Sequence, residues 1–295
     1  MYHFSFCSFI FLSLLTFTSA KFGYDTHKVS AAITEAYLTQ NTFSRILQIT
    51  GNQTLVEIAT WADEIRGNPK YSWSASLHYV NPEHDPLNNI CSYDDERDCK
   101  NDFCVTAAVR NFTEQLTEGG GSQGEQEDAV KFLTHFVADM HQPLHVCGIQ
   151  KGGNDYDVRF FGKNTNLHKV WDSDIALRVI LTEMDSSVDN YIQFLLKKLN
   201  SEWQDEIPEW LSCVREKEEM HIWSSSLTVT CPEIWAIEIE KINCSNIWSD
   251  LTDDLTEEYY EKNKDLVGKL LAQAGIRLAT TLNSIFDPEA KNNQM

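Results

Sequence analysis

Three histidines and an aspartate fall within twelve residues, THFVADMHQPLH, at positions 134–145. His135 and Asp139 are four residues apart on a predicted helix, so their side chains share one face and can hold the same ion. His168 and Asp172 repeat this spacing on another predicted helix. Imidazole nitrogens and carboxylate oxygens in this ratio suit zinc or a similar metal. The spacing therefore predicts metal-binding chemistry.

Four more residues of the same ligand types lie outside these pairs. His145 comes just after a helix stop at Pro143, where a loop can return its side chain to the cluster. Asp63 lies on an earlier predicted helix, His78 follows it, and His27 lies near the start of the mature chain. The alternative is that each His-x-x-x-Asp pair is an ordinary hydrogen bond on a helix surface. At the level of these residues alone, both interpretations stay open.

The elements that must position these residues are mostly helical. Apolar residues recur at helical spacing over residues 26–38, 54–63, 105–116, 129–140, 167–180, 188–199 and 257–286. Thr54 and Glu57 form a capping-box pattern that begins the second of these helices. The alternation of Tyr156, Val158 and Phe160 predicts a short strand or hairpin. The expected fold is mainly α, with one small β-hairpin.

The first twenty residues, MYHFSFCSFIFLSLLTFTSA, contain no Lys, Arg, Asp or Glu. This segment is typical of a secretory signal peptide, although it lacks the usual positive charge at its start. Its apolar core is too short for a typical membrane span. We therefore expect a soluble, exported chain with one domain over residues 22–295, without a membrane anchor or a stable protein partner.

Export also governs the interpretation of the cysteines. Seven remain once the signal peptide is removed, and an oxidising compartment favours disulfides for most of them. Cys99 and Cys104 could close a small loop, and one of the seven must stay unpaired. Sequons for N-linked glycosylation, which mark surface positions if they are used, begin at Asn52, Asn111 and Asn243.

The formal charge of the chain is −20, and it has no run of basic residues. This charge argues against a protein that binds nucleic acid only through surface Lys and Arg. It does not exclude a site in which multivalent metal ions meet phosphate groups, because such ions can dominate the local charge.

Six segments of the chain resemble the zinc-dependent S1/P1 nucleases of fungi, plants and protists, which include the plant bifunctional nucleases. These segments are FGYDTH (22–27), WADEIR (61–66), LHYVN (77–81), FLTHFVADMHQPLH (132–145), KGGNDYDVRFFG (151–162) and NLHKVWD (166–172). They follow the order of the family across nearly the whole mature chain. The resemblance implies the helical fold shared with bacterial zinc phospholipases C, and a site with three zinc ions.

The resemblance also implies how the ligands are divided. The first zinc would take Asp63, His78, His135 and Asp139. The second would take His27, Asp139, and the amine and carbonyl of the first mature residue, so that Asp139 bridges the close pair. The third would take His145, His168 and Asp172. A water between the close pair would attack phosphorus, with Asp63 and Asp139 orienting it, while the third zinc neutralises the leaving oxygen.

The resemblance further assigns residues on the substrate side. Arg66 would stabilise the developing phosphate charge, and Asn154 would lie near the site in a mainly structural role. Tyr79 would stack on a nucleobase, which favours single strands over duplexes. The family often has Asp at the position of Asn81, so the base preference of this chain is left open.

In the family the first mature residue is usually Trp, and the corresponding residue here is Phe22. Signal cleavage after Ala20 would leave Lys21 in front of it and turn the ligand amine into an amide. We therefore predict that the active protein begins at Phe22, through cleavage or trimming after Lys21.

The resemblance implies the disulfides Cys99–Cys104 and Cys91–Cys244. A third, Cys213–Cys231, is our own inference and would leave Cys147 as the free thiol. The remaining histidines match no ligand of the family and are expected on the surface or in supporting positions: His84, His141 and His221.

The expected function is that of a secreted, or vacuolar or lysosomal, endonuclease that cuts single-stranded RNA and DNA to 5′-phosphate products and also acts as a 3′-nucleotidase. One alternative is a zinc phospholipase C of the same fold. Another, from a different class, is a secreted zinc-binding protein whose catalysis has decayed.

Overall fold

A computed structural model describes residues 23–85, 90–213, 229–249 and 251–289. Its α-helices are α1 (Gly23–Tyr37), α2 (Gln40–Ile49), α3 (Leu55–Ile58), α4 (Trp61–Ile65), α5 (Asp95–Asp98), α6 (Val105–Glu118), α7 (Gln123–Met140), α8 (Leu167–Lys169), α9 (Ile175–Glu183), α10 (Val188–Leu199), α11 (Ile207–Trp210), α12 (Pro232–Ile242) and α13 (Glu257–Phe286). Turns of 3-10 helix cover Ser72–His78, Lys100–Asp102, Pro143–His145, Ile149–Lys151 and Gln204–Glu206, and π-helical turns cover Val170–Asp174 and Asn243–Ile247. The predicted mainly α architecture is confirmed.

The helix predicted over residues 54–63 is in fact two helices. Its capping box is present, since the Thr54 side chain accepts from the backbone of Glu57 and the Glu57 carboxylate accepts from the backbone of Thr54. The helix then breaks after α3, and the carbonyl of Ala59 accepts a hydrogen bond from Nδ1 of His135 at 2.8 Å. The break therefore supplies an acceptor to one of the predicted metal ligands.

Helix α7 begins and ends at strong local signals. Ser122 and Glu125 form a reciprocal capping box at its start. The helix ends at Met140, and Pro143 begins the next 3-10 turn. Since proline cannot continue the helix, the chain turns there and carries His145 back towards Asp139.

The predicted hairpin is present as part of a larger sheet. Strands β3 (Asp157–Phe160) and β4 (Lys163–Asn166) pair antiparallel, and β5 (Asp254–Leu255) adds to β3 in parallel. A separate antiparallel pair, β1 (His84–Asp85) and β2 (Ile90–Cys91), was not expected. The sequence therefore predicted the hairpin but missed β1, β2 and β5, because strands of two residues show no alternation that could be read from the sequence.

The metal-ligand residues lie where two hydrophobic clusters meet. The first cluster is centred on α6 and α7, and the second on the hairpin, α9, α10 and α13. The end of α7 joins them, since Met140 packs in the first cluster and Leu144 in the second. Helix α1 joins them as well, and it packs so closely on α13 that a Cβ at Gly275 would lie 2.6 Å from Ile33 Cγ2. The site is thus held between two tightly packed halves.

The structure joins Cys91 to Cys244, Cys99 to Cys104 and Cys213 to Cys231, and leaves Cys147 buried with a free thiol. Asn52 and Asn111 are exposed. The surface position expected for Asn243 is wrong, because this residue is fully buried. Its side-chain amide donates to the carbonyls of Pro143 and Val146, so it supports the turn that carries His145.

His141 is not a surface residue. It is buried, its Nδ1 donates to the Val137 carbonyl, and its Nε2 accepts from the buried guanidinium of Arg277 at 3.0 Å. Burial and the charge of Arg277 lower the pKa of His141 to about 3, so the ring stays neutral and can accept. Arg277 also donates to the Trp210 carbonyl and pairs with Glu238. The surface position considered for His141 is therefore wrong, and the ring supports the end of α7 through Val137 and Arg277. His84 and His221 lie outside the described side chains.

Among the residues that the structure describes, no helix has both the length and the apolar character needed to cross a membrane.

Replacing Arg277 with Met should lower the free energy of unfolding by about 2–4 kcal/mol, because buried acceptors on Trp210 and His141 lose their donor. Urea denaturation followed by circular dichroism measures this difference. Arg45→Met is the matched control, since Arg45 is exposed on α2 and should change stability by less than about 0.5 kcal/mol. Equal stability of the two variants would contradict the role given to Arg277.

Candidate metal centre

One buried carboxylate lies at the centre of the predicted ligands. Asp139, in the last turn of α7, places Oδ2 2.8 Å from Nδ1 of His78 and 3.3 Å from Nε2 of His135. Its Oδ1 lies 3.4 Å from Nε2 of His27 and 3.4 Å from Nδ1 of His145. Four histidines from four separate segments therefore converge on the same side chain.

Two groups of possible ligands overlap on this side of the cluster. His27, His135 and Asp139 form one group, and Asp63, His78 and His135 form the other, with ligand atoms within 4.8 Å of one another in each. Oδ1 of Asp63 lies 3.7 Å from Nδ1 of His78 and 3.8 Å from Nε2 of His135. Nε2 of His135 can bind only one ion, whereas the two oxygens of Asp139 lie near different histidines, so this carboxylate could bridge two neighbouring ions.

A third group lies on the other side of Asp139. Nε2 of His145 is 3.3 Å from Oδ1 of Asp172, and Nε2 of His168 is 4.0 Å from Oδ2 of the same carboxylate. The rings of His145 and His168 stack at 4.9 Å between centroids. The structure thus brings together all eight side chains that were predicted as ligands. Phe22, the ninth predicted ligand, lies outside the described residues.

Backbone carbonyls hold three of the imidazoles in place. Nδ1 of His135 donates to Ala59, Nδ1 of His145 donates to the His78 carbonyl at 2.7 Å, and Nδ1 of His168 donates to the Gly152 carbonyl at 2.8 Å. A ring that donates from Nδ1 keeps a lone pair at Nε2, which is how metal-binding histidines are usually oriented.

Two buried ligand nitrogens have no hydrogen-bond partner among the described residues, which fits a metal-binding site. Nε2 of His135 and Nε2 of His145 are buried and make no hydrogen bond with any described residue. Leaving such atoms unpaired costs about 1–3 kcal/mol each. Each lies 3.3 Å from a carboxylate oxygen of its own ligand group, Asp139 for His135 and Asp172 for His145, and a divalent cation could bind between them.

In the metal-free cluster, burial and the charges of neighbouring side chains shift the pKa values of the ligand residues. Burial, and repulsion from His135, lower the pKa of His27 to about 4. Burial acts in the same direction on His145, but the carboxylates of Asp139 and Asp172 raise its pKa to about 10. Burial would raise the pKa of Asp139, but His135 and His145 hold it well below its usual range. The central carboxylate therefore stays ionised and available as a ligand.

The three groups open onto a cavity of 490 Å³, a volume suited to a small ligand or a nucleotide. Its wall includes all of the residues predicted on the substrate side: Arg66, Tyr79, Asn81 and Asn154. The Arg66 guanidinium lies 3.3 Å from Asp63 Oδ1, and the Tyr79 side chain is exposed at the cavity. Lys151 also lines the cavity and was not predicted, although it begins the KGGN segment.

A family model described as S1/P1 Nuclease matches residues 22–287. The chain belongs to the S1/P1 nuclease family. It is 33% identical to Endonuclease 3 of Arabidopsis thaliana over 278 residues, and this match covers 90% of this chain and 89% of the relative. It is 29% identical to Nuclease P1 of Penicillium citrinum, over 89% of this chain and 97% of the relative. Nuclease S1 of Aspergillus oryzae is also 29% identical, over 93% of this chain and 94% of the relative.

Membership of the S1/P1 nuclease family makes this protein a hydrolase, an endonuclease that acts on phosphodiester bonds. The family is zinc-dependent in general, and the His and Asp groups around Asp139 are able to bind metal. The expected family is therefore confirmed.

Asp139→Asn should remove metal from the cluster and lower turnover on the order of 10³-fold, because the shared carboxylate loses its charge and one of its two acceptor oxygens. Elemental analysis of the purified protein, beside a nuclease assay, measures both effects. Asp265→Asn on the surface of α13 is the control and should leave both unchanged. Full turnover with unchanged metal content in Asp139→Asn would refute the assignment.

Metal uptake should release protons near neutral pH. His145 has a pKa of about 10 in the metal-free protein, so it is protonated at pH 7 and must lose a proton to bind a cation. Affinity for an ion at the third group should therefore rise about tenfold per unit as the pH increases from 6 to 8. Competition titrations against a chromophoric chelator test this slope. An affinity independent of pH, without proton release, would contradict it.

Proposed function

We propose that the protein is a secreted, zinc-dependent endonuclease that cuts single-stranded RNA and DNA to 5′-phosphate products and also removes 3′-phosphates from nucleotides. The observation that carries this proposal is the convergence of three ligand groups around Asp139 on a cavity lined by Arg66 and Tyr79. Family membership supports the nuclease reaction itself.

We assign three zinc ions to this site. The first would be held by Asp63, His78, His135 and Asp139. The second would be held by His27, Asp139 and the backbone amine and carbonyl of the first mature residue, which we predict to be Phe22. The third would be held by His145, His168 and Asp172. Zinc supplies a water of lowered pKa and positive charge for the phosphate oxygens.

Residues of the chain itself orient and stabilise the substrate. The exposed guanidinium of Arg66 is free on the side away from Asp63 to donate to phosphate oxygens as negative charge develops on them. Asp63 and Asp139 act as ligands and as acceptors that orient a water. Asn154 donates its side-chain amide to the carbonyl of Lys151 at 2.9 Å, which supports the structural role given to it.

Single strands suit this cavity better than duplexes. Tyr79 follows ligand His78 directly, and its side chain is 43% exposed, so an unstacked base can lie on the ring while its phosphate is near the ligands. Asn81 is exposed at the same wall and offers both a donor and an acceptor to a base edge. A base held in a duplex cannot reach a wall of this kind without first leaving its stack.

The disulfides and the signal-peptide pattern of the first twenty residues support export. Three disulfides within the described residues suit an oxidising compartment. Asn52 and Asn111 remain exposed glycosylation candidates. Delivery to a vacuole or lysosome would meet the same requirements.

The proposal is tested by digesting single-stranded and duplex DNA, RNA and lecithin micelles with the mature protein. We expect acid-soluble nucleotides from the single strands, little product from the duplex, and no phosphocholine. Chelation should abolish the activity, and about three zinc ions per chain should restore it. Terminal sequencing should give Phe22 as the first residue. Release of phosphocholine alone would establish the phospholipase instead, and zinc binding without any hydrolysis would establish a decayed enzyme.

A further inference from the structure

Four consecutive residues beside the site have left-handed backbone conformations. The φ angles of Gln150, Lys151, Gly152 and Gly153 are 47°, 53°, 63° and 78°. For the two residues that are not glycine this conformation is disfavoured, because it brings Cβ close to the following carbonyl oxygen. Such residues persist only where the surroundings fix them, and they concentrate at functional sites.

The surroundings of this turn explain how it is fixed. A Cβ on Gly152 would lie 2.3 Å from the carbonyl oxygen of Leu144, and a Cβ on Gly153 would lie 3.1 Å from the backbone nitrogen of His168. The turn is therefore pressed against the two segments that carry His145 and His168. In this position the Gly152 carbonyl accepts from His168 Nδ1.

The same turn places Lys151 at the wall of the active-site cavity. Among the described residues that line this cavity, Arg66 and Lys151 are the only ones with a permanent positive charge. Arg66 lies beside Asp63 in one ligand group, whereas Lys151 directly precedes Gly152, which holds His168 in another group. The two cations therefore border different ligand groups and can serve different phosphates.

The charge of Lys151 is available to a ligand. Its side chain is 78% exposed, and its ammonium pairs with Oδ2 of Asp155 at 2.8 Å. An exposed pair of this kind is weak, so a phosphate can replace the carboxylate at little cost.

We propose that Lys151 forms a second phosphate subsite, which binds the phosphate next to the scissile one in a single-stranded polynucleotide. This inference rests on the proposed function and deepens it, because it names the substrate that the cavity prefers. A dinucleoside monophosphate has only the scissile phosphate and gains nothing from Lys151. A longer strand also has the neighbouring phosphate and gains one charge-assisted contact.

The experiment compares hydrolysis of a dinucleoside monophosphate with hydrolysis of a single-stranded hexanucleotide by Lys151→Met. We expect kcat/KM for the hexanucleotide to fall roughly tenfold, mostly through KM, because one phosphate contact is lost. The slope of log KM against log salt should decrease by about 0.7, the value for one phosphate on a single strand. Hydrolysis of the dinucleoside monophosphate should change less than twofold, and Lys151→Arg should keep most of the activity on the hexanucleotide.

Lys163→Met is the matched control, because Lys163 is an exposed lysine on β4 that does not line the cavity. It changes the net charge by the same amount and should leave both substrates unaffected. Equal losses on the two substrates, or no loss on either, would overturn the subsite while leaving the proposed function intact. A wild-type protein that cleaves neither substrate would overturn the proposed function and the subsite together.

Discussion

The buried charge of Asp139 is the constraint on which the site depends. A carboxylate in the interior is costly unless it is paired or hydrogen-bonded, and here four histidines contact it from α1, the turn before Tyr79, α7 and the turn after it. Each of these segments must hold its register for the arrangement to form. The packing of α1 on α13 at Gly275 and the end of α7 before Pro143 therefore help to place the metal ligands.

Irregular backbone orients the imidazoles around this carboxylate. The break after α3 releases the Ala59 carbonyl to His135, the end of the Ser72–His78 turn offers a carbonyl to His145, and the left-handed turn offers Gly152 to His168. In a regular helix the carbonyls accept the backbone hydrogen bonds of the helix itself. The regular helices supply rigidity, and the interruptions between them supply the hydrogen bonds that aim the ligands.

The parts of the fold that could be predicted are those with a periodic local pattern, such as α1, α6, α7 and α13. Strand β5 could not be predicted, because its two residues are strands only through pairing with β3, about a hundred residues away. The eight ligand side chains followed from their types, their spacing and the family resemblance.

Other features depend on tertiary packing. The buried state of His141 depends on Arg277, 136 residues further along, and that of Asn243 depends on the carbonyl of Pro143, 100 residues earlier. Lys151 gains its place from backbone angles that its own residue type disfavours. The local sequence indicates neither the burial of His141 and Asn243 nor the backbone angles of Lys151.

The distribution of charge governs how such a nuclease works through a long strand. The chain has a net charge of −20, whereas the permanent cations along the wall of the cavity are Arg66 and Lys151. Sliding along nucleic acid requires a continuous band of positive charge outside the catalytic cleft. With a net charge of −20, the chain gains little from general attraction to phosphate away from this cavity. We therefore expect distributive digestion, in which fragments of intermediate length accumulate before the shortest products appear.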